Sequence, residues 1–363
     1  MQLEDQLPGL RIAVVGVGGV GGVCATGLVN AGYSVTGVSG NESISEEIQK
    51  NGLRADVDGQ SHISKFPVYA RLPTETPAFQ LVFLAMPPNH MQSAVADLLP
   101  FLSEDSIIVC FQNGLAEERL QRIFPELKIV GGIVSYGASM WAPGHVEKTS
   151  AGGYTVGSLS GNVDDQIRLV ARVLSDCDPV DVSLNLRGAR WSKLAINCAI
   201  SSLGTIGGQR LGSLMRHRFV RRLCLETMTE VTQVAIKDGV NLEKVAGTLD
   251  LEWLALDEDE RLTTGSPSLI AKHAVLLAVG AKYRRLRSSM LSAIERGREP
   301  PIDFLNQEIV DRSESHGIPA PINRALCAQV RRISAGEDKP SIQLLRAFFE
   351  DTRPELRRLQ WAA

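Results

Sequence analysis

In the run WSKLAINCAISS (191–202), Lys193, Asn197 and Ser201 stand among apolar neighbours. Their spacing of i, i+4 and i+8 puts all three on one face of a helix. A lysine is seldom fully buried without a partner, so the ammonium has two readings. Either the polar stripe forms part of a ligand site, or Lys193 snorkels into water from the start of the helix. A second constellation is Gly16-Val17-Gly18-Gly19-Val20-Gly21, which follows the strand-like RIAVV and opens the helix-like VCATGLVNAG. That context suits phosphate chemistry. Gly16 permits a tight turn, Gly18 lets backbone N–H groups approach a pyrophosphate, and Gly21 lets helix and strand pack closely. The helix N-terminus then favours the phosphate charge.

Further candidates lie at strand ends. Sites that prefer NAD usually carry a carboxylate after the second strand, for the ribose 2′-hydroxyl. Here Val38-Ser39-Gly40-Asn41 stands there. The missing carboxylate leaves room for a 2′-phosphate, with Ser39 and Asn41 as donors, and so favours NADP. The turn itself holds no arginine to pair with that phosphate. LVFLAM (81–86) ends at Met86, and SIIVCF (106–111) runs into Gln112-Asn113-Gly114. Carboxyl ends of strands in an open α/β sheet are where ligands bind. An Asn-Gly pair is equally at home in a plain turn, so both readings of Asn113 stay open.

The elements that must position these residues fall into two halves. Apolar runs at 11–16, 33–38, 81–86, 106–111 and 128–134 alternate with helix-length segments, the pattern of a parallel sheet covered on both faces. GHVEKTSAGGYTVGS (144–158) reads as an antiparallel edge pair. From about Arg187 long helical segments take over, at 188–204, 214–239, 266–297 and 301–316. A boundary near 183–188 thus separates an α/β domain from an all-helical one. The run LDEDER (256–261) reads as a solvated helix end or loop. The tail 341–359 reads as an amphipathic helix, packed on its own domain or docking a partner subunit.

Composition bounds the function. The chain has 363 residues, 44% hydrophobic and 22% charged, with a formal net charge of −3. This is globular and gives no sign of a nucleic-acid or anionic-membrane partner. The apolar runs are too short, or too broken by charge, to span a bilayer. The acidic start MQLEDQLPGL is unlike a signal peptide. Six cysteines without a CxxC pair favour reduced thiols in a cytoplasmic protein, and the six histidines form no ligand cluster.

Taken together, the motifs resemble those of the ketopantoate reductases (2-dehydropantoate 2-reductases). GVGGVG, QNG (112–114), WSKLAIN (191–197), SSM (288–290), PPIDFLN (300–306) and SHGIPAPINRAL (315–326) follow one another as in that family. The likeness runs from about residue 11 to 332. It implies an N-terminal Rossmann-type dinucleotide-binding domain (1–185), followed by an all-α C-terminal domain (186–363) of the 6-phosphogluconate dehydrogenase-like kind. A C-terminal extension begins at about 334. It also implies NADPH-dependent reduction of a 2-oxo acid. Lys193 would be the general acid, with Asn113 holding the nicotinamide end or the lysine, and Asn197, Ser289 and Ser201, a shorter group that can still hydrogen-bond, binding substrate. The resemblance places Asn306 either in ligand contact or in a helix-packing hydrogen bond. Backbone from Gly16 to Gly21, with Ser39, Asn41, Met86 and Asn113, would hold the cofactor. The expected partner is a small-molecule carbonyl substrate, and a homodimer is compatible with this reading.

Two departures bear on the substrate. Ser201 stands where the family has a second asparagine, and Pro301 replaces the glutamate before Ile302-Asp303. A lysine without that anionic neighbour has its ammonium form less favoured. Glu295 and Glu299 lie nearby in sequence, but spacing makes neither a replacement. The alternatives are therefore a divergent reductase of a bulkier ketone or imine in secondary metabolism, and a non-catalytic NADP-binding sensor.

Overall fold

A computed structural model describes residues 9–244, 249–262 and 265–358. The acidic start over residues 1–8 and the end of the tail from 359 lie outside the described residues. The chain divides into two compact units, 1–186 and 187–363.

The first unit opens with β1 (Arg11–Val15), α1 (Gly19–Asn30), β2 (Ser34–Val38), α2 (Glu42–Asn51), β3 (Leu53–Val57), β4 (Gln60–Ser64) and β5 (Val68–Tyr69). It continues through β6 (Phe79–Leu84), α3 (Met91–Leu98), β7 (Leu102–Cys110), α4 (Ala116–Ile123) and β8 (Lys128–Val134). It closes with β9 (Ala138–Ala142), β10 (His145–Lys148), β11 (Tyr154–Gly157), α5 (Asp165–Ser175) and β12 (Val180–Val182). Eight strands form the main sheet in the order β12-β11-β8-β7-β6-β1-β2-β5. All neighbours in it are parallel except β8 and β11. Its central strands are buried on both faces because their side chains are apolar at successive positions: Ile12, Ala13, Val14, Leu81, Val82, Phe83 and Leu84 are all inaccessible.

A second sheet, β4-β3-β10-β9, lies on the far side of α1. It explains why α1 buries Val23, Cys24, Ala25 and Leu28 together, since the helix is walled by a sheet on each side. A Cβ on Gly22 would come within 2.8 Å of Val146 in β10. This sheet corrects the antiparallel pair expected over 144–158. β10 lies between β3 and β9, whereas β11 runs antiparallel to β8 in the main sheet. The strands part because Val146 buries against α1 while Tyr154 and Val156 bury in the main sheet. A polar cluster spans the gap. Lys148, enclosed but for 3% of its side chain, bonds Asp178 at 2.6 Å, and the Tyr136 and Tyr154 hydroxyls meet at 2.8 Å.

The second unit carries α6 (Leu186–Gly207), α7 (Leu211–Leu214), α8 (Arg218–Lys237), α9 (Leu251–Leu254) and α10 (Glu258–Leu262). It then has α11 (Pro267–Lys282), α12 (Ser289–Glu295), α13 (Asn306–Ser315), α14 (Pro321–Ser334) and α15 (Ile342–Arg358). The helical stretch expected over 266–297 is two helices. Ser288 breaks it by capping α12, its hydroxyl accepting the Leu291 N–H and donating to the Ser201 carbonyl. The run 256–261 is not simply solvated either. Glu260 is buried and paired with Lys272, whose ammonium also donates to the Ala255 carbonyl at 2.7 Å. The tail helix α15 packs on α8 and α14 of its own unit, with Leu345 and Phe348 buried.

Candidate active site

In the first unit, β1 delivers the chain into the glycine turn. Gly16 has φ +94°, a conformation costly for any residue with a Cβ, and a Cβ there would lie 2.4 Å from the Met86 backbone nitrogen. A Cβ on Gly21 would lie 2.1 Å from the Gly16 carbonyl oxygen, so the first turn of α1 rests directly on the turn before it. Gly18 is different: a Cβ there would meet nothing within 4 Å. It caps α1 without a side chain, and no acidic residue sits in the first turn. Backbone N–H groups at such an end are open to an anion, so the turn fits a dinucleotide phosphate. The Val17 side chain is buried in the core, leaving only its backbone for a ligand, while Gly19 packs on Ala138 and Val20 is partly covered.

Beside this turn lie the carboxyl ends of β6 and β7. Met86 backs onto Gly16, and Gln112 donates from Nε2 to the Met86 carbonyl at 3.2 Å. Gln112 is thus buried and structural, whereas Asn113, before Gly114 at φ +91°, is exposed. After β2 the structure corrects the assignment of Ser39 as a free donor. Its hydroxyl donates to the Asn41 carbonyl at 2.6 Å and meets the Ser45 hydroxyl at 2.7 Å. The Asn41 Oδ1 accepts the Ile44 N–H and caps α2. These groups are used to start the helix, which leaves the Asn41 amide nitrogen as the donor facing outward from this pair.

In the second unit, α6 presents Lys193 and Asn197 half-buried, one turn apart, in a helix whose Trp191, Leu194, Ala195, Cys198 and Ala199 are closed off. Ser201, one turn further on, is buried at 8% exposed, which corrects the expected stripe: only Lys193 and Asn197 of the three stay open on this face. The Ser201 carbonyl accepts the hydroxyls of Thr205 and Ser288, each at 2.8 Å, which fixes the 288–290 segment onto α6. Within SSM the roles divide. Ser288 is buried and holds the segment, Met290 is inaccessible, and Ser289 is exposed.

Asn306 is a correction to the substrate-binding set. It is fully enclosed and hydrogen-bonded throughout: its Oδ1 accepts the Ser202 hydroxyl at 2.6 Å, and its Nδ2 donates to the Cys198 carbonyl and to Asn323 Oδ1. Asn323 continues the network to Glu230, which also accepts the Ile322 and Asn323 N–H groups at the start of α14. Burial pushes the Glu230 carboxyl up to about 7, outweighing the hydrogen bonds that lower it. Such a network ties α6, α8, α13 and α14 together and has no face toward a ligand. Pro301 begins a short 3₁₀ turn; of the carboxylates near it, Glu295 pairs with Arg287 and Asp303 with Arg331.

Sequence reasoning missed the second sheet and the Glu230 network. The hairpin β3–β4 did carry a signal, Asp58-Gly59, both at positive φ, the turn chemistry of a two-residue hairpin. Among the described residues no group of His, Cys, Asp and Glu is placed to hold a metal, and no helix is long and apolar enough to cross a membrane. Five of the six cysteines are buried, and burial pushes Cys24 up to about 12.

Comparison with known proteins covers both units. The family model described as ketopantoate reductase PanE/ApbA matches residues 12–161, and its C-terminal counterpart matches residues 185–334. A 2-dehydropantoate 2-reductase of Archaeoglobus fulgidus is 26% identical over 328 residues, covering 90% of this chain and 98% of that one. Among solved structures, a PanE/ApbA family ketopantoate reductase from Ralstonia eutropha JMP134 superposes with a TM-score of 0.76 at 26% identity. It covers 90% of this chain and 99% of its own. D-mandelate dehydrogenase with NADH and anilino(oxo)acetate shares the fold, with a TM-score of 0.75 at 19% identity and the same coverage.

Proposed function

The chain belongs to the ketopantoate reductase family, and on that premise we propose that it reduces a 2-oxo acid to the 2-hydroxy acid with NADPH. The glycine turn at Gly16–Gly21 and the first turn of α1 hold the pyrophosphate. Asn113 and Met86 flank the nicotinamide end, and Asn41 contributes at the 2′-phosphate. When bound, the reduced nicotinamide supplies a hydride to the carbonyl carbon. Lys193 Nζ hydrogen-bonds the carbonyl oxygen, stabilises the charge that develops there and delivers the proton. Asn197 orients the substrate from the same face of α6, and the Ser289 hydroxyl takes the carboxylate. The observation that carries this reading is selective exposure: Lys193, Asn197 and Ser289 remain accessible while their neighbours Ser288, Ser202 and Asn306 are closed.

The substrate is a 2-oxo acid less polar than the family's usual one, because Pro301 and Ser201 remove a carboxylate and shorten an amide. A site built to hydrogen-bond a substrate hydroxyl discriminates strongly through that group. The test is steady-state oxidation of NADPH and NADH with ketopantoate and with 2-oxo acids bearing aliphatic and aromatic side chains. Preference for NADPH and for an apolar 2-oxo acid is expected. Robust ketopantoate turnover would overturn the altered substrate, and cofactor binding without turnover of any carbonyl would overturn the enzyme.

A further inference from the structure

A phosphate ester is held best by a cation that also hydrogen-bonds it, and arginine does so through paired N–H groups. The turn after β2, Ser39-Gly40-Asn41, has no cation. Strands β8, β7, β6, β1, β2 and β5 run parallel, so their carboxyl ends share one edge of the main sheet. The segments that lead away from that edge cover 16–18, 39–41, 70–78, 85–90, 111–115 and 135–137. Among these described residues stands a single lysine or arginine, Arg71.

The backbone on both sides of Arg71 anchors it beside the turn. Two residues before it, Tyr69 pairs with Val38 in the sheet, and the Tyr69 carbonyl accepts the Ser39 N–H at 2.9 Å. Gln49 of α2 donates to the Val68 carbonyl at 2.5 Å, so β5 is fixed by the helix that Asn41 caps as well as by β2. One residue after it, Leu72 packs on the same apolar cluster as Val38 and Met86. Arg71 itself is exposed and has no hydrogen bond or ion pair among the described residues. The carboxylates nearest in sequence are not its partners: Glu75 accepts from the Thr74 hydroxyl at 3.2 Å, and Glu42 opens α2. Over the turn the ground is open, since a Cβ on Gly40 would meet nothing within 4 Å.

Resting on the NADPH reading above, we propose that Arg71 selects the cofactor by binding its adenosine 2′-phosphate, the guanidinium reaching from β5 the group that Asn41 meets from β2. The determinant of NADPH over NADH then lies outside the turn after the second strand, where that choice is usually read. The Asn41 side chain offers amide donors and no charge, so it cannot offset a phosphate alone. Where no phosphate is present, the exposed guanidinium stays in water, and NADH is bound with neither help nor hindrance from it.

Binding to the full-length protein tests this without turnover, followed by nicotinamide fluorescence for NADPH and NADH and by calorimetry for 2′,5′-ADP and 5′-AMP. The unaltered protein should bind NADPH more tightly than NADH, and 2′,5′-ADP more tightly than 5′-AMP. Arg71→Gln should weaken NADPH and 2′,5′-ADP about tenfold and leave NADH and 5′-AMP within about twofold of their original affinities. Arg71→Lys keeps the charge, loses the paired donors and should recover part of the loss. Because Arg71 is exposed the fold should tolerate both changes, and intact NADH binding checks that it does. A preference for NADPH that survives Arg71→Gln would overturn the role of Arg71 alone. Equal loss of NADH would overturn it too, since the residue would then serve the fold or the adenine. No preference for NADPH in the unaltered protein would overturn it together with the choice of cofactor.

Discussion

The face of α6 that carries Lys193 and Asn197 and the network around Asn306, Asn323 and Glu230 use similar residue types within one helical unit. They differ in how far they are closed off from water. Asn306 and Asn323 are inaccessible and bonded to each other and to partners on two other helices, α6 and α8. Lys193 and Asn197 keep part of their surface open, on a helix with apolar neighbours. A buried polar group whose capacity is filled within the chain has nothing left for a ligand. A group kept accessible at some cost in apolar burial is the one able to act. Similar chemistry thus holds helices together in one place and stays accessible in the other.

That contrast can be broken by experiment. Lys193→Ala should lower kcat for the 2-oxo acid by about three orders of magnitude with little change in thermal unfolding; a large loss of stability with retained turnover would exchange the two roles. The Glu230 carboxyl is raised in the folded state, so folding favours its protonated form. The stability this contributes is fully present below pH 4.5 and is lost as pH rises through about 7. Urea denaturation across that range should register a fall of roughly 3 kcal/mol, which Glu230→Gln should flatten. Asn306→Ala strands the Ser202 hydroxyl and the Asn323 oxygen and should cost about 2 kcal/mol of stability, with kcat unchanged; a change in kcat at intact stability would return Asn306 to the substrate set. Ser289→Ala should raise KM about tenfold and leave kcat near its original value. Equal effects on both parameters would mean that Ser289 acts on the transition state.

What could be read from the residues depended on how local the deciding interactions are. The glycine turn, the continuous apolar strands and α6 are written in contiguous stretches, and their pattern carries the structure. The second sheet is so only in part: Leu53, Ala55 and Val57 alternate with Arg54 and Asp56 up to the Asp58-Gly59 turn, but the pairing of β3 with β10 joins segments far apart in the chain. The fate of Glu260 was decided by Lys272, twelve positions on, and that of Asn306 by Asn323 and Glu230. Ser39 looked like a free donor because nothing in its own tetrapeptide shows that Asn41 and Ser45 use its hydroxyl. Residue type marks a candidate; partners distant in sequence decide whether it remains one.

The helix that carries the glycine turn is enclosed by a sheet on either side. Its amides cannot exchange with solvent by fraying of one layer, because each layer backs the other. Protection of α1 should therefore report global opening of the first unit rather than local breathing. A ligand held at the start of this helix stabilises both sheets at once, so occupancy by the dinucleotide should slow exchange as far away as β4 and β9.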